Sequence, residues 1–182
     1  YPDLAEMVLT AGADLVELNL GCPNVWKDGV QKRIVCFSPD LVGQVLQLVQ
    51  ARIGASAPVS VKLSHFSDPF QLAEVLSVVA EFEVVKAVTS SNTSANSFGY
   101  QGTKPRIDAG GGYAGFAGPA FKPIALGQVR QIRALLPRRI QIIGVGGITV
   151  GGDIWEHLDC GAVVTQVVTA YIQGGQRREQ VF

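Results

Sequence analysis

Residues 140–148 read IQIIGVGGI, an apolar run that ends on paired glycines. The run is continuous rather than alternating. It therefore predicts a strand buried on both faces, as in a parallel sheet covered by helices. Working outward, strand and helix alternate along the rest of the chain. A helix over about 3–11 leads to a strand LVELNL (15–20), and a polar loop leads to a helix near 39–53 with Leu41, Val45, Leu48 and Val49 at helical spacing. VSVKLS (59–64) reads as a strand, after which Asp68 and Pro69 open a helix through about residue 81. VVKAVTSS (84–91) is a strand followed by a long glycine-rich loop to about residue 118. KPIALGQVRQIRALL (122–136) is a helix, GGDIWEHLDCG carries a short one, and AVVTQVVTAY (162–171) is the last strand.

Two architectures suit such alternation, a doubly wound open sheet and a (β/α)8 barrel. No GxGxxG follows the first strand, which weakens the dinucleotide-binding open sheet. Polar or glycine positions instead close strand after strand at the carboxyl end: Asn19, Lys62, Asn92, Gly146 and Thr169. Barrel enzymes keep their chemistry at that end. The expected fold class is α/β, a TIM barrel present as about five of its eight strands, because a complete barrel typically needs about 250 residues. The 182 residues are read as one domain, the C-terminal portion of a barrel whose first units, about three in number, lie outside this sequence.

Composition narrows the function. The chain is 47% hydrophobic and 16% charged, with 15 basic residues balancing 15 acidic ones, so no global charge draws it to nucleic acid or to a membrane. No apolar run reaches the length of a membrane span, and no secretory pattern opens the chain. Cys22, Cys36 and Cys160 make an odd count without metal-type spacing, which favours a reducing, cytoplasmic setting over a disulfide framework. HExxH, CxxC and GxSxG are absent, so metalloenzyme and serine-hydrolase chemistry are not expected.

The candidate residues gather at the strand ends. Lys62 lies in an apolar strand and pays a desolvation penalty unless it faces a polar cavity or an anionic partner. Gly146 and Gly147 would let a phosphate approach backbone N–H groups, with Thr169 adding a hydroxyl; a tight turn would use the same glycines. SSNTSAN (90–96) supplies amides and hydroxyls suited to the edges of an imide or amide ring, and also suited to an ordinary polar turn. Cys22 stands between Asn19 and Asn24, where a thiol poised to lose its proton would serve as a general base; most free cysteines are instead inert packing. Cys160 reads as packing and Cys36 is open to either reading. His65 is given no role.

In combination, NLGCPN (19–24), VKLS (61–64), NT (92–93), GGYAGFAGPAFKPIALGQVR (111–130), IIGVGGI, DIWEHLDCGA and QVVTA resemble the dihydroorotate dehydrogenase family. The likeness is to its soluble class 1, and it runs over essentially the whole chain. The resemblance implies a flavin mononucleotide (FMN) barrel that oxidises (S)-dihydroorotate to orotate in pyrimidine biosynthesis. By this resemblance Cys22 would be the base; membrane-bound class 2 relatives carry serine there, so the cysteine argues for the soluble class. Asn19, Asn24, Asn92 and Thr93 would bind the substrate. Asn19, Lys62, Ser91, Gly115, Gly146, Gly147, Val168 and Thr169 would contact the flavin or its phosphate. No metal is implied. A homodimer and an iron–sulfur electron-transfer subunit are the partners the family allows, and the electron acceptor stays open.

The chain departs from the family pattern in several places. Gly21 stands where many members have serine, Val168 replaces a glycine, and VWKDGVQKRIVCF (25–37) lacks the usual P-G-x-P-Q of the lid. The family's first strands, with another flavin-contacting lysine and a substrate asparagine, are missing. A tRNA dihydrouridine synthase shares N-x-G-C-P but predicts a basic surface, and a dihydropyrimidine dehydrogenase predicts iron–sulfur cysteine clusters. An inactive barrel remnant is the alternative of a different kind, because an open piece of a barrel exposes sheet edges.

Overall fold

The computed structural model describes residues 1–173. In chain order the elements are α1 (Pro2–Thr10), β1 (Val16–Asn19), β2 (Trp26–Lys27), β3 (Val30–Gln31), α2 (Pro39–Ile53), β4 (Val59–Lys62), α3 (Pro69–Glu81) and β5 (Val85–Thr89). There follow β6 (Ser94–Phe98), β7 (Tyr100–Gln101), β8 (Lys104–Pro105), β9 (Tyr113–Phe116), α4 (Lys122–Leu135), β10 (Gln141–Val145), α5 (Gly151–Asp159), β11 (Val164–Gln166) and α6 (Thr169–Gln173).

Local chemistry sets the helix starts. Ser38 caps α2 by accepting from the Leu41 N–H, and Asp68 accepts from the Phe70 N–H at the start of α3, each with proline in the first turn. Val42, Leu46 and Val49 on α2, and Leu72, Val75, Leu76 and Val79 on α3, form the buried stripes that the 3.6-residue period predicts.

Five strands make one parallel sheet in the order β1-β4-β5-β10-β11. Each parallel strand lies beside its predecessor in the chain, with no reversal of direction. A doubly wound sheet must reverse at a switch point, so this order is that of a barrel segment. The helices pack on one another in the same succession: α1 on α2, α2 on α3, α3 on α4, and α4 on α5. Leu18, Val61, Val88 and Ile142 from successive strands join the helix stripes in one buried cluster.

Two expectations need correction. The long loop to residue 118 contains an antiparallel arm, β6 with β9 and, beyond it, β7 with β8. The last strand is shorter than 162–171: β11 stops at Gln166, and Thr169 opens α6 rather than closing a strand. The divergent segment 25–37 is also ordered into a hairpin. Trp26 pairs with Gln31 and Lys27 with Val30 around Asp28 and Gly29, both at positive φ. Asp-Gly between short extended runs is the type I′ hairpin signal, and it was legible in WKDGVQ.

Candidate functional site

The carboxyl ends of the parallel strands open on a cavity of about 300 Å³. Its lining brings together Lys62, Ser91, Asn92, Thr93, Gly146, Gly147, Val168 and Thr169, eight of the candidate residues. Asn19 joins this set through its side chain, whose Oδ1 accepts from Asn92 Nδ2 at 2.9 Å and from the Gly21 N–H at 3.2 Å. Gly115 joins it sterically. A Cβ added there would fall 1.9 Å from Thr93 Oγ1, so the glycine is what lets β9 close over Thr93. Cys22 and Asn24 do not line the cavity. Cys22 is half-buried in the loop after β1, unbonded to another cysteine, and Asn24 is exposed.

Lys62 has an anionic partner. Its Nζ lies 3.3 Å from Glu17 Oε1 on the adjacent strand β1. The other carboxylate oxygen, Oε2, accepts from Thr89 Oγ1 and, at 2.8 Å, from Gln166 Nε2, while Ser60 and Thr89 share a hydrogen bond of 3.0 Å. Side chains from β1, β4, β5 and β11 thus form a polar layer beneath the cavity. The desolvation argument that singles out Lys62 applies equally to Glu17 in VELN, and it would have paired them.

The glycine pair has a packing cause as well as a place in the lining. A Cβ on Gly146 would stand 2.8 Å from Ala125 Cβ, and one on Gly147 would stand 2.4 Å from Lys122 Cβ and 2.6 Å from its backbone. Both Cβ positions point into the start of α4, with φ of +119° and +75°, so the turn packs its bare side on the helix. The turn is also held from α5. Buried His157 bonds through Nε2 to the Gly146 carbonyl at 3.1 Å, and its Nδ1 has no partner. Burial pushes the His157 imidazole below its ordinary value, outweighing Asp153 and Glu156 nearby. The neutral ring therefore carries its proton on Nε2, as donor to Gly146.

Asp153, at the third position of α5, accepts from the Thr149 N–H and hydroxyl, from the Val150 N–H, and from Lys122 Nζ at 2.7 Å. Burial alone would raise its carboxyl. The Lys122 ammonium and the three other donors overcome that and hold it well below the usual carboxylate range. Lys122 also reaches Glu156 at 2.8 Å, which ties the start of α4 to α5.

Near Cys22, the Tyr1 hydroxyl donates to the Asn19 carbonyl at 3.0 Å. Burial, then the neighbouring Cys22 and Cys36 thiols, raise the Tyr1 phenol. Cys36 resolves as packing: it is fully buried, accepts from the Ser64 N–H through Sγ at 3.2 Å, and burial pushes its thiol up to about 12. Cys160 is half-buried, with its thiol raised by burial.

The hairpin after Cys22 is tied down. Gln31 Nε2 donates to the Pro23 carbonyl at 2.7 Å and to Asn96 Oδ1 at 2.8 Å, and the Trp26 ring packs against Gly110. No group of His, Cys, Asp and Glu side chains suited to a metal occurs among the described residues. Nor is any helix among them long and apolar enough to cross a membrane.

The chain is similar to known proteins in sequence and in fold. The family model described as "Dihydroorotate dehydrogenase" matches residues 3–181. A probable dihydroorotate dehydrogenase A (fumarate) of Enterococcus faecalis is 35% identical over 165 residues, covering 88% of this chain and 50% of that protein. The catalytic subunit of a dihydroorotate dehydrogenase B (NAD(+)) of Thermoplasma acidophilum is 30% identical over 177 residues, covering 97% of this chain and 54% of that protein. The crystal structure of an Eimeria tenella DHODH in complex with ferulenol superposes with a TM-score of 0.75 at 18% identity, over 98% of this chain and 51% of that one. The chain spans about half the length of the relatives it matches.

Proposed function

The chain belongs to the dihydroorotate dehydrogenase family, and from that premise we propose that it forms the flavin-binding part of an enzyme that oxidises dihydroorotate to orotate. The observation that carries the proposal is the cavity itself. One pocket collects Lys62, Ser91, Asn92, Thr93, Gly146, Gly147 and Thr169 from four strand ends.

The lining suits FMN chemically. Lys62 supplies a cation, and Asn92 and Thr93 supply groups that pair with the edge of a polar ring. Gly146 and Gly147 turn their missing side chains toward α4, so backbone faces the cavity there, beside the Thr169 hydroxyl. In the proposed assignment, Lys62 and Ser91 hold the ring, with Asn19 and Gly115 supporting it through Asn92 and Thr93. Gly146, Gly147, Val168 and Thr169 hold the phosphate end. The exposed Val168 offers backbone there in place of the family's glycine.

Bound FMN would supply the two-electron acceptor that the oxidation needs. The residues of this chain do the rest. Asn19, Asn24, Asn92 and Thr93 orient the substrate's carboxylate and ring amides. Cys22 Sγ takes the proton from one ring carbon as the neighbouring carbon gives up hydride, so the substrate loses one proton and one hydride to become orotate. Lys62 offsets negative charge developing near it.

The test is direct. The protein is titrated with FMN, following the quenching of flavin fluorescence, and then mixed anaerobically with dihydroorotate. Bleaching of bound flavin supports the reading. A protein that binds FMN yet is not reduced by dihydroorotate would overturn the substrate assignment.

A further inference from the structure

Gln128 lies on α4 outside the cavity lining and is almost fully buried, at 1% exposure. Its sequence position predicts burial, since it stands three residues after Ala125 and four before Ile132 on the apolar stripe of that helix. An uncharged amide on such a stripe must find partners for two donor hydrogens and an acceptor oxygen. It finds four. Nε2 donates to the Ser64 carbonyl at 2.8 Å and to the Ser90 carbonyl, and Oε1 accepts from the Phe66 N–H at 2.8 Å and meets His65 Nδ1 at 3.2 Å.

The partners belong to two loops only, 63–66 after β4 and 90–93 after β5. The loops also share a direct backbone hydrogen bond, in which the Asn92 N–H donates to the Leu63 carbonyl at 2.6 Å. Lys62 immediately precedes the first loop, and Ser91, Asn92 and Thr93 belong to the second; all four line the cavity. Ser90 extends the link to a third strand, because its Oγ accepts from the Val145 N–H at 3.2 Å.

We propose that Gln128 is a positioning residue: its side-chain amide fixes loops 63–66 and 90–93 relative to each other, and so sets the spacing of Lys62 from Ser91, Asn92 and Thr93 in the cavity. For its effect on a ligand the inference rests on the flavin reading above; for the loops it stands without it. A residue that only filled core volume could be exchanged for an apolar one of the same shape. The four bonds forbid that, because an apolar side chain would strand two carbonyls and a backbone N–H inside the protein.

Gln128→Met keeps the volume and removes all four bonds. Hydrogen exchange without ligand is expected to quicken at residues 63–66 and 90–93 while β4 and β5 keep their protection. FMN affinity is expected to fall about tenfold or more, the equivalent of one or two lost hydrogen bonds. If Gln128→Met does not fold, Gln128→Glu takes its place; it keeps the shape and the acceptor but loses both donors, and the same two changes are expected. Unchanged exchange in the two loops, or wild-type FMN affinity in a folded variant, overturns the proposal. Wild-type protein that takes up no FMN, with loop exchange still quickened by the substitution, would instead overturn the flavin reading and leave the positioning role standing.

Discussion

Gln166, on the last strand of the parallel sheet, donates a 2.8 Å hydrogen bond to Glu17, on the first. The two strands are opposite edges of a five-stranded sheet, so the sheet must curl until its inward side chains meet. That curl is the geometry of a barrel wall. It also places a carboxylate where Lys62, Thr89 and Gln166 converge on it. The charge that Lys62 presents to the cavity is therefore partly cancelled from below. Glu17→Gln keeps an acceptor in place and removes the negative charge. The two-electron potential of bound flavin is expected to rise by on the order of 20 mV, from about 1 kcal/mol of freed electrostatic attraction. Potentiometric titration checks this, and a lowered potential would separate Glu17 from the electrostatics of the cavity.

His157 gives the fold a sensitivity to mild acid. The group is buried and neutral, with its folded value below the ordinary one of about 6.5. Between those two values the unfolded chain binds a proton that the folded chain refuses. Stability therefore falls as pH drops below about 6.5 and levels off once the folded value is passed. The unpartnered Nδ1, where a new proton would sit, is buried beside Gly144, where an added Cβ would fall 2.8 Å from it. His157→Gln should show a smaller loss of thermal midpoint than wild type on going from pH 7 to pH 5. Parallel losses in the two proteins would assign the acid sensitivity elsewhere.

Asp153 acts in a separate, more acidic window. Its folded value is depressed, so its contribution is present above the ordinary carboxylate value of about 3.9 and is lost as pH falls below it. At neutral pH, Asp153→Asn replaces an ionised acceptor of four hydrogen bonds, 8% exposed, with an amide that cannot accept them all. The expected cost is about 2 kcal/mol, read from denaturant midpoints. Because Thr149 lines the cavity, FMN affinity should fall as well. A loss of stability with unchanged affinity would show that α5 and the cavity wall respond independently.

Much of this was legible in the chain because periodicity and end chemistry are local. The apolar runs at 59–64, 84–91 and 140–148 gave strands, and the proline-led helices began where Pro39 and Pro69 stand. Asn92, Lys62 and Gly146 sit at strand ends because the alternation of elements puts them there. What was missed depends on pairing across the sheet or between layers. Glu17 gains meaning only once β1 lies beside β4, and Gln128 only once α4 crosses two loops. The final strand was read too long because VVTQVVTAY is mostly valine and threonine. Its β-branched residues favour a strand, while the backbone after Gln166 turns away to begin α6.

Gly21 offers a test of motif against geometry. Many relatives by resemblance carry serine there, so Gly21→Ser reads as a restoring change. In this chain a Cβ at residue 21 would lie 2.5 Å from both the Leu63 carbonyl carbon and the Ser64 N, backbone atoms that cannot swing aside. Gly21→Ser is expected to destabilise by about 2 kcal/mol or more, and to disturb the Cys36–Ser64 contact beneath it. A variant as stable as wild type would mean that the loop after β1 shifts readily.

Cys22, the base of the proposed reaction, stands outside the cavity lining. It lines no wall, yet it follows Asn19, whose side chain is anchored to Asn92, and Gly21, whose N–H is fixed by Asn19. Removing the thiol should therefore leave the cavity intact. Cys22→Ala is expected to bind FMN as wild type does while flavin reduction by dihydroorotate slows by about 10²–10⁴, the span of a lost general base. Cys22→Ser should retain part of the rate with its optimum moved to higher pH, because a hydroxyl gives up its proton less readily than a thiol. The measurement is the single-turnover rate of flavin bleaching against pH. If Cys22→Ala kept the wild-type rate, the proton would have to leave by another route, and the thiol in NLGCPN would be a packing residue like Cys36.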